Sequence, residues 1–256
     1  MAAAESPPRT PVRTRRNGPT GNAQAIHGKD EVGAYIGSQE SGISIWRSKQ
    51  FFDMSAAGPR IVREELKTPG AFLLHNVLSR ELCDNIVRQT EAMGYEAAKI
   101  TTTAGTMRMM KDYRNSSRLI WDLNDGELDT LWNNLAPHVP PTRVDTNVLR
   151  PTGLNTRLRF LRYAPGEYFK PHFDGGYRNS LMTLIIYLSD QCAGGETRFY
   201  KGDTLLDSVT PRAGTALLFY HDYHPLSPMH EGCELHQGTK HCVRTDIFFQ
   251  TAETFF

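Results

Sequence analysis

The sequence predicts a mainly β fold with flanking helices, an α+β domain built on a double-sheet jelly roll (a double-stranded β-helix). Three observations support this class. At 256 residues, with 39% hydrophobic and 22% charged residues, the chain has the length and composition of a globular domain with a sizeable core. After Pro151, short apolar runs alternate with Gly, Pro and Asp turns, as in β sandwiches and barrels. Before Pro151, two stretches have helical periodicity, so helices should buttress the sheets from the N-terminal side.

Residues 1–30 differ in composition from the rest of the chain. They contain few large apolar side chains and are rich in proline and arginine, at Pro7, Pro8, Pro11, Pro19, Arg9, Arg13, Arg15 and Arg16. Such a segment cannot bury enough surface to offset its ordering entropy, so we predict a disordered basic tail. The tail lacks the apolar region of a secretory signal, while an organelle transit peptide or a nuclear signal stays open. Residues 31–256 should form a single domain, with its motifs concentrated in 155–250.

Charge and cysteine content narrow the functional class. The net charge is +1, from 29 Lys+Arg against 28 Asp+Glu, so no overall field attracts nucleic acid. The four cysteines are scattered without a C-x-x-C pair, which indicates free thiols in a reducing compartment, cytoplasmic or nuclear, although one disulfide stays open. No apolar run approaches 18 residues, so we expect no membrane span.

Two helices are predicted before the strand series. Ser79 can cap a helix whose apolar residues recur at Leu82 and Ile86, and Gly94 is a typical C-terminal stop. A second helix is predicted over 127–135, capped by Asn124 or Asp125 and ended by the prolines that follow.

The strand series follows Pro151. A continuous apolar run at 181–188 is typical of a central strand covered on both faces. The other predicted strands are 157–163, 204–209, 215–220 and 240–249.

The triplet His172-Phe173-Asp174 is the first candidate site. Residues two apart on a strand share a face, so the imidazole and the carboxylate would point the same way. One N and one O donor form two corners of a 2-His-1-carboxylate facial triad, which binds Fe(II) and leaves positions open. For the third ligand we favour His230, in a turn ten residues before Lys240, with His224 as the alternative.

Lys240 and Arg244 lie four residues apart and therefore on one face of the last strand. Two cations on an inward face are costly unless an anion meets them. The distal carboxylate of a dicarboxylate cosubstrate is a suitable partner for Lys240.

Residues 101–118 form a polar, methionine-containing stretch between the two predicted helices. It is either a solvated loop or an active-site lid in which Arg114, Asn115 and Arg118 face the substrate.

Five stretches in order, YAPGEYFKPHFDGG, MTLIIYLSD, AGGETRFY, GTALLF and HEGCELHQGTKHCVR, resemble the prolyl 4-hydroxylase-like Fe(II)/2-oxoglutarate dioxygenases. The resemblance covers residues 70–250 in pattern and 158–249 in specific motifs. It implies a catalytic iron held by His172, Asp174 and His230, with Lys240 binding the tail of 2-oxoglutarate. It also implies ascorbate as a reductant for iron oxidised in uncoupled turnovers.

The same resemblance implies further cosubstrate contacts. Tyr163 or Tyr168 would hydrogen-bond 2-oxoglutarate, and Tyr187 would lie near its distal carboxylate. His241 follows Lys240 where relatives that hydroxylate collagen-like peptides have Trp, which leaves Arg244 as a second anion contact or a substrate contact.

The function implied by the resemblance is hydroxylation of an aliphatic C–H bond, with O2 and 2-oxoglutarate consumed and succinate and CO2 released. Hydroxylation of peptidyl or free proline is the leading interpretation. The alternatives are an oxygenase for a free amino acid or another small molecule, a nucleobase demethylase for which Arg157, Arg159 and Arg162 could form a basic stripe, and a metal-free binding module.

Overall fold

The computed structural model describes residues 25–30, 33–40, 43–47, 60–98, 100–101, 107–108, 110–123, 126 and 128–251. The predicted tail therefore lies outside the described residues except for 25–30, which form a strand. The predicted caps Asn124 and Asp125 also lie outside. No helix in the described part of the chain is long and apolar enough to cross a membrane.

The first part of the chain contains both of the α-helices that the structure describes. Its elements are β1 (Ala25–Asp30), β2 (Gly33–Glu40), β3 (Ile43–Arg47), β4 (Val62–Glu65), β5 (Phe72–His75), α1 (Arg80–Met93), β6 (Glu96–Ala97), β7 (Ile100–Thr101), β8 (Met107–Arg108), β9 (Ser117–Asp122), α2 (Asp129–Leu135) with a 3-10 turn (Ala136–His138), β10 (Thr142–Val144) and β11 (Asn147–Leu154).

The second part consists of strands. They are β12 (Arg157–Tyr163), β13 (Phe169–His172), β14 (Ser180–Tyr187), β15 (Cys192–Gly194), β16 (Thr197–Lys201), β17 (Thr204–Val209), β18 (Ala216–Tyr220), β19 (Met229–Gly232), β20 (Leu235–Gly238) and β21 (Lys240–Thr251). The predicted β class and the predicted strand series after Pro151 are thus confirmed.

Two sheets face each other across the domain. The main sheet has the order β1-β2-β3-β9-β12-β21-β14-β18-β5-β4, with β6, β10 and β11 attached to its strands. The minor sheet has the order β13-β19-β16-β17, and it carries the H-x-D segment. This arrangement places residues of β13 and β19 opposite the inner face of β12, β21 and β14.

Helix α1 follows the predicted signals. The Ser79 hydroxyl accepts a hydrogen bond from the Leu82 amide at 3.1 Å, and Gly94 ends the helix at φ 87°. Helix α2 begins at Asp129, two residues later than predicted. Its N-cap position is Leu128, without a side-chain cap hydrogen bond.

Strand β14 contains the long apolar run, and strand β21 carries Lys240 and Arg244 on its inner face. On β14, Met182, Leu184 and Ile186 pack into the larger core cluster on the outer face, while Ile185 and Tyr187 face the minor sheet. The even-numbered residues of β21 from 240 to 246 line the space between the sheets. Because side chains alternate along a strand, the outer core fixes which residues face inward.

Candidate metal centre and its cavity

His172, Asp174 and His230 come together between the sheets. The end of β13 supplies His172, the irregular segment after β13 supplies Asp174, and β19 supplies His230, which pairs with His172 in the strand register. One ligand atom from each residue lies within 4.8 Å of the other two. The Asp174 carboxylate is 3.6 Å from Nε2 of His172 and 3.8 Å from Nε2 of His230. Two nitrogens and one oxygen on one side form a donor set that suits Fe(II).

The backbone orients both imidazoles toward Asp174. Nδ1 of His172 lies 2.8 Å from the Lys170 carbonyl, and Nδ1 of His230 lies 3.3 Å from the Pro228 carbonyl. A carbonyl only accepts, so each Nδ1 carries the proton and each Nε2 keeps its lone pair. Burial lowers the pKa of His230 to about 4, which keeps this imidazole neutral and able to bind a metal.

Asp174 is held in its charged form by its neighbours. Burial acts to raise its pKa, but the positive charge of Arg244 outweighs burial and holds the pKa of Asp174 well below its usual range. Its Oδ2 accepts hydrogen bonds from the Thr183 hydroxyl at 2.8 Å and from Nε of Arg244 at 3.3 Å. These bonds leave Oδ1 as the oxygen that faces His172.

A second layer of residues supports Thr183. Because its hydroxyl donates to Asp174, it accepts from Nδ1 of His221, 2.9 Å away. His221 also contacts the Ser180 hydroxyl at 3.1 Å. Such outer partners fix the geometry of a ligand.

Arg244 has partners that differ from the predicted one. Its guanidinium lies 3.3 Å from Asp174 and 3.2 Å from Asp246, and it also donates to Thr183. Asp246 is shared with Arg159 at 3.3 Å. Arg244 lines the cavity, but two carboxylates already engage its guanidinium, so the predicted second anion contact or substrate contact stays a prediction.

Lys240 lies at the other end of the same strand face. Only 3% of the residue is exposed, and its Nζ donates to the Gly195 carbonyl at 2.6 Å. The ammonium also lies over the rings of Tyr163 and Tyr187, at 5.1 and 5.6 Å from the centroids. Burial lowers the pKa of Lys240, and no carboxylate in the described part of the chain forms an ion pair with it.

The three predicted tyrosines have different surroundings. Tyr163 lines the cavity. Tyr187 is fully buried behind the cavity wall, and its hydroxyl pairs at 2.8 Å with that of Thr197, which does line the cavity. The Tyr168 hydroxyl lies 3.5 Å from the Asp112 carbonyl near the surface, away from the lining, so the structure does not support its predicted role.

The cavity around the three ligands has a volume of about 700 Å³ and includes Arg114 and Arg118 in its wall. Asn115 is not part of that wall. Its amide oxygen accepts from the Tyr168 amide at 2.7 Å, and its amide nitrogen donates to the Gly166 carbonyl at 3.0 Å. The predicted substrate contact of Asn115 is thus replaced by a structural one.

The described part of the predicted lid is tied to β13. The Lys170 amide donates to the Tyr113 carbonyl at 3.0 Å, and Arg114 pairs with Phe169 as an isolated bridge. Arg114 and Arg118 therefore line the cavity from a segment that is hydrogen-bonded to β13, whereas 102–106 and 109 lie outside the described residues.

His224, the alternative third ligand, is engaged elsewhere. Its Nδ1 accepts from the Leu226 amide at 3.1 Å, its Nε2 lies 2.9 Å from the Thr142 hydroxyl, and its ring stacks on Tyr220. Both nitrogens are occupied, so His224 does not join the centre.

Several residues of the site were not identified by the sequence analysis. Phe169 stacks on His172 with ring centroids 3.6 Å apart. Thr183 is the one hydroxyl within the apolar run 181–186, and that isolation is a signal that could have identified it. Asp246 lies two residues after Arg244 in the predicted strand and could have been identified by that spacing, whereas His221 and Thr197 carried no such signal.

Comparison with known proteins agrees with this geometry. The family model of the 2OG-Fe(II) oxygenase superfamily matches residues 158–247. Among curated relatives, a probable prolyl 4-hydroxylase 3 of Arabidopsis thaliana is 26% identical over 203 residues, covering 67% of each chain. Prolyl 4-hydroxylase subunit alpha-1 of Gallus gallus is 30% identical over 122 residues, covering 39% of this chain and 22% of the relative.

Solved structures show the same fold. A prolyl hydroxylase from Trichoplax adhaerens, in complex with a hypoxia inducible factor peptide fragment, aligns with a TM-score of 0.53 at 17% identity, over 71% of this chain and 84% of that one. A Pseudomonas putida prolyl-4-hydroxylase aligns with a TM-score of 0.50 at 17% identity, over 71% and 93%.

Proposed function

Because this chain belongs to the 2OG-Fe(II) oxygenase superfamily and is a 2-oxoglutarate-dependent dioxygenase of the prolyl hydroxylase-like type, we propose that it hydroxylates a prolyl residue of a peptide or protein. The observation that carries the proposal is the juxtaposition of a two-His, one-carboxylate donor set with a buried, carboxylate-free Lys240 in one cavity. The substrate and the residue roles given below are proposals.

His172, Asp174 and His230 would hold the iron, and the protonated Nδ1 atoms of the histidines keep both Nε2 lone pairs directed at it. When bound, the iron supplies the chemistry that couples decarboxylation of 2-oxoglutarate, to succinate and CO2, with hydroxylation of a C–H bond by O2. Thr183 and Arg244 orient Asp174, so the donor set is fixed before any ligand arrives.

Lys240 would bind the distal carboxylate of 2-oxoglutarate. A buried ammonium without a carboxylate partner is costly, and a ligand anion offsets that cost. Thr197 and Tyr163 line the same part of the cavity and can donate hydroxyl hydrogen bonds to the ligand. Tyr187 acts through Thr197, by fixing that hydroxyl.

A peptide substrate is favoured over a free amino acid by the rim of the cavity. Phe173 is 62% exposed and Tyr177 is 46% exposed, and both line the cavity. A free amino acid would leave these rings in water, whereas a longer chain would cover them.

The nucleobase alternative is less well supported. The three arginines of the basic stripe that it needs are each paired with a carboxylate. Arg157 forms a bidentate pair with Asp122. Arg159 pairs with Asp246, and Arg162 pairs with Glu91. Side chains engaged in this way are not free to follow a phosphate backbone.

Two further proposals accompany the reaction. Ascorbate would restore iron oxidised in uncoupled turnovers. The enzyme would act in the cytoplasm or nucleus, which is supported by its four unpaired cysteines, Cys83, Cys192, Cys233 and Cys242.

The test is succinate release from 2-oxoglutarate with Fe(II), measured over a panel of prolyl peptides, free proline and a methylated oligonucleotide. We expect release that depends on a prolyl peptide and is lost in His172→Ala. Release stimulated by free proline or the oligonucleotide alone would replace this function with the corresponding alternative.

A further inference from the structure

A second cavity lies beside the one that contains the proposed metal ligands. It has a volume of about 450 Å³ and shares Arg157, Arg159 and Tyr177 with the larger cavity. The rest of its wall comes from the ends of β9 and β11, the connection between β11 and β12, Arg178, and Phe248 of β21. The roles proposed above for the metal ligands and Lys240 do not use this space.

Tyr177 connects the two cavities. It lines both of them, and 46% of the residue is exposed. Along the chain, Gly175 and Gly176 join it to Asp174 and also line the larger cavity. A Cβ atom added to Gly175 would meet no atom of the described residues within 4 Å beyond its chain neighbours, so the space above this glycine is open. A chain that begins at the metal centre can therefore pass over Gly175 and Tyr177 into the second cavity.

Exposed aromatic rings mark this route. Among the described residues, the exposed aromatic side chains are Phe173, Tyr177 and Tyr223. Phe173 and Tyr177 line the larger cavity, and Tyr177 also lines the second one, whereas Tyr223 lines neither. Aromatic side chains are enriched where a partner covers the surface, so the two rings at the cavities indicate a binding surface.

The segment that carries Tyr177 is held in place by hydrogen bonds. The Tyr177 amide donates to the Ser180 hydroxyl at 2.9 Å, and the Ser180 amide donates back to the Tyr177 carbonyl at 3.1 Å. Asn179 accepts from the Phe249 amide at 3.0 Å and donates to the Phe249 carbonyl at 2.7 Å. The Arg178 guanidinium lies over the Tyr177 ring, 5.0 Å from its centroid. A wall fixed in this way costs little ordering entropy when a ligand binds.

The charges of the second cavity favour an uncharged chain. Arg157 donates two hydrogen bonds to Asp122, and Arg159 pairs with Asp246. Arg178 is exposed, so water and salt screen its charge. A phosphate backbone therefore gains little here, whereas a peptide chain can place its apolar and polar groups against the Tyr177 ring and the polar wall.

The volume of the second cavity sets a length for this chain. A compact space of about 450 Å³ is roughly 8–10 Å across, and an extended peptide advances about 3.3–3.6 Å per residue. Two to three residues therefore fill it, in addition to the residue that lies at the metal centre.

We propose that the residues on one side of the target proline occupy the second cavity and cover Tyr177, so that the substrate is an extended peptide with at least two to three residues on that side. The proposal rests on the proposed function, and it adds the length of the substrate and Tyr177 as a specificity-determining residue.

The experiment uses two series of blocked peptides with one proline each. One to five alanine residues are added on the N-terminal side in the first series and on the C-terminal side in the second, and kcat/KM is measured by succinate release. We expect kcat/KM to rise about tenfold over the first two to three added residues of one series and then to level off, which is the scale expected when one aromatic ring becomes covered.

Variants of Tyr177 locate the effect. In Tyr177→Ala, the ratio of kcat/KM between the long and the short peptide should fall to about threefold or less, whereas Tyr177→Phe should keep the wild-type ratio because the ring is retained. Tyr223→Ala is the matched control, since it removes an exposed ring that lines neither cavity, and it should also keep the ratio. Because a ratio is measured, partial loss of folded protein does not affect the result.

The outcomes separate this inference from the proposed function. If the shortest peptide reacts as well as the longest, or if Tyr177→Ala keeps the wild-type ratio, the role of the second cavity is overturned while prolyl hydroxylation stands. If no prolyl peptide of any length supports succinate release, both are overturned.

Discussion

Lys240 and Arg244 lie on the same face of β21 but have opposite surroundings. Lys240 is enclosed by tyrosine rings and a backbone carbonyl, without a carboxylate. Arg244 is enclosed by two carboxylates and a hydroxyl. The lesson is that a buried cation with carboxylate partners supports the scaffold, whereas a buried cation without them is available to a ligand anion.

Removal of a metal ligand should have the largest effect on activity, because the roles proposed for Lys240 and Arg244 both depend on the metal centre. His172→Ala and His230→Ala should each abolish 2-oxoglutarate turnover and weaken Mn(II) binding, measured by calorimetry, while the circular dichroism spectrum stays native. His224→Ala is the control and should retain metal binding, because its nitrogens are engaged by Leu226 and Thr142. Unchanged Mn(II) affinity in His230→Ala would disprove the assignment of the third ligand.

Arg244→Met should lower the free energy of unfolding, whereas the corresponding change at Lys240 should not. It leaves Asp174 and Asp246 without their shared partner, and breaking a buried pair costs about 3–5 kcal/mol of unfolding free energy. Lys240→Met is the matched comparison, since it removes a buried charge that has no carboxylate partner, and the ligand-free protein should be as stable as wild type or more so. Urea unfolding measures both. Equal destabilisation by the two substitutions would contradict the distinction between a structural Arg244 and a ligand-binding Lys240.

Thr183→Val should weaken metal binding although it leaves all three metal ligands in place. It removes the hydrogen bond to Asp174, and loss of such an outer partner costs about ten- to hundredfold in metal affinity. Thr197→Val makes the same change at the Lys240 end and should leave Mn(II) affinity near wild type. A similar loss in both variants would indicate general damage to the fold.

Tyr187→Phe should give the smallest effect. It removes one buried hydrogen bond to Thr197, at 2.8 Å, which contributes about 0.5–1.5 kcal/mol to stability. Thermal unfolding measures this change, and a loss several times larger would mean that the hydroxyl has a second partner.

Local signals predicted much of the fold. Ser79 and Gly94 marked both ends of α1, and the alternation of Arg157–Tyr163 marked β12. The spacing of Lys240 and Arg244 placed this pair on one face of β21, whereas Asp174 lies in the segment that follows β13. These predictions depend only on strand or helix period, which the sequence contains.

Partners across the sheets could not be predicted in the same way. Arg244 was predicted to be a second anion contact or a substrate contact, because its approach to Asp174 depends on the packing of the two sheets. Its other partner, Asp246, lies two residues along the same strand, and the strand period alone places it on the same face. Asn115 and Tyr168 were assigned to ligands, yet they hydrogen-bond each other's segments. Which polar group a side chain meets is decided by tertiary contacts that no local pattern encodes.

The most direct test of the contrast between Lys240 and Arg244 is calorimetric titration of 2-oxoglutarate into Mn(II)-saturated wild type, Lys240→Met and Arg244→Met. Saturating metal removes any difference in metal affinity between the variants. We expect Kd for 2-oxoglutarate to rise about ten- to hundredfold in Lys240→Met, through loss of one charge-assisted hydrogen bond, and to change about threefold or less in Arg244→Met. The account is contradicted if Arg244→Met gives the larger rise.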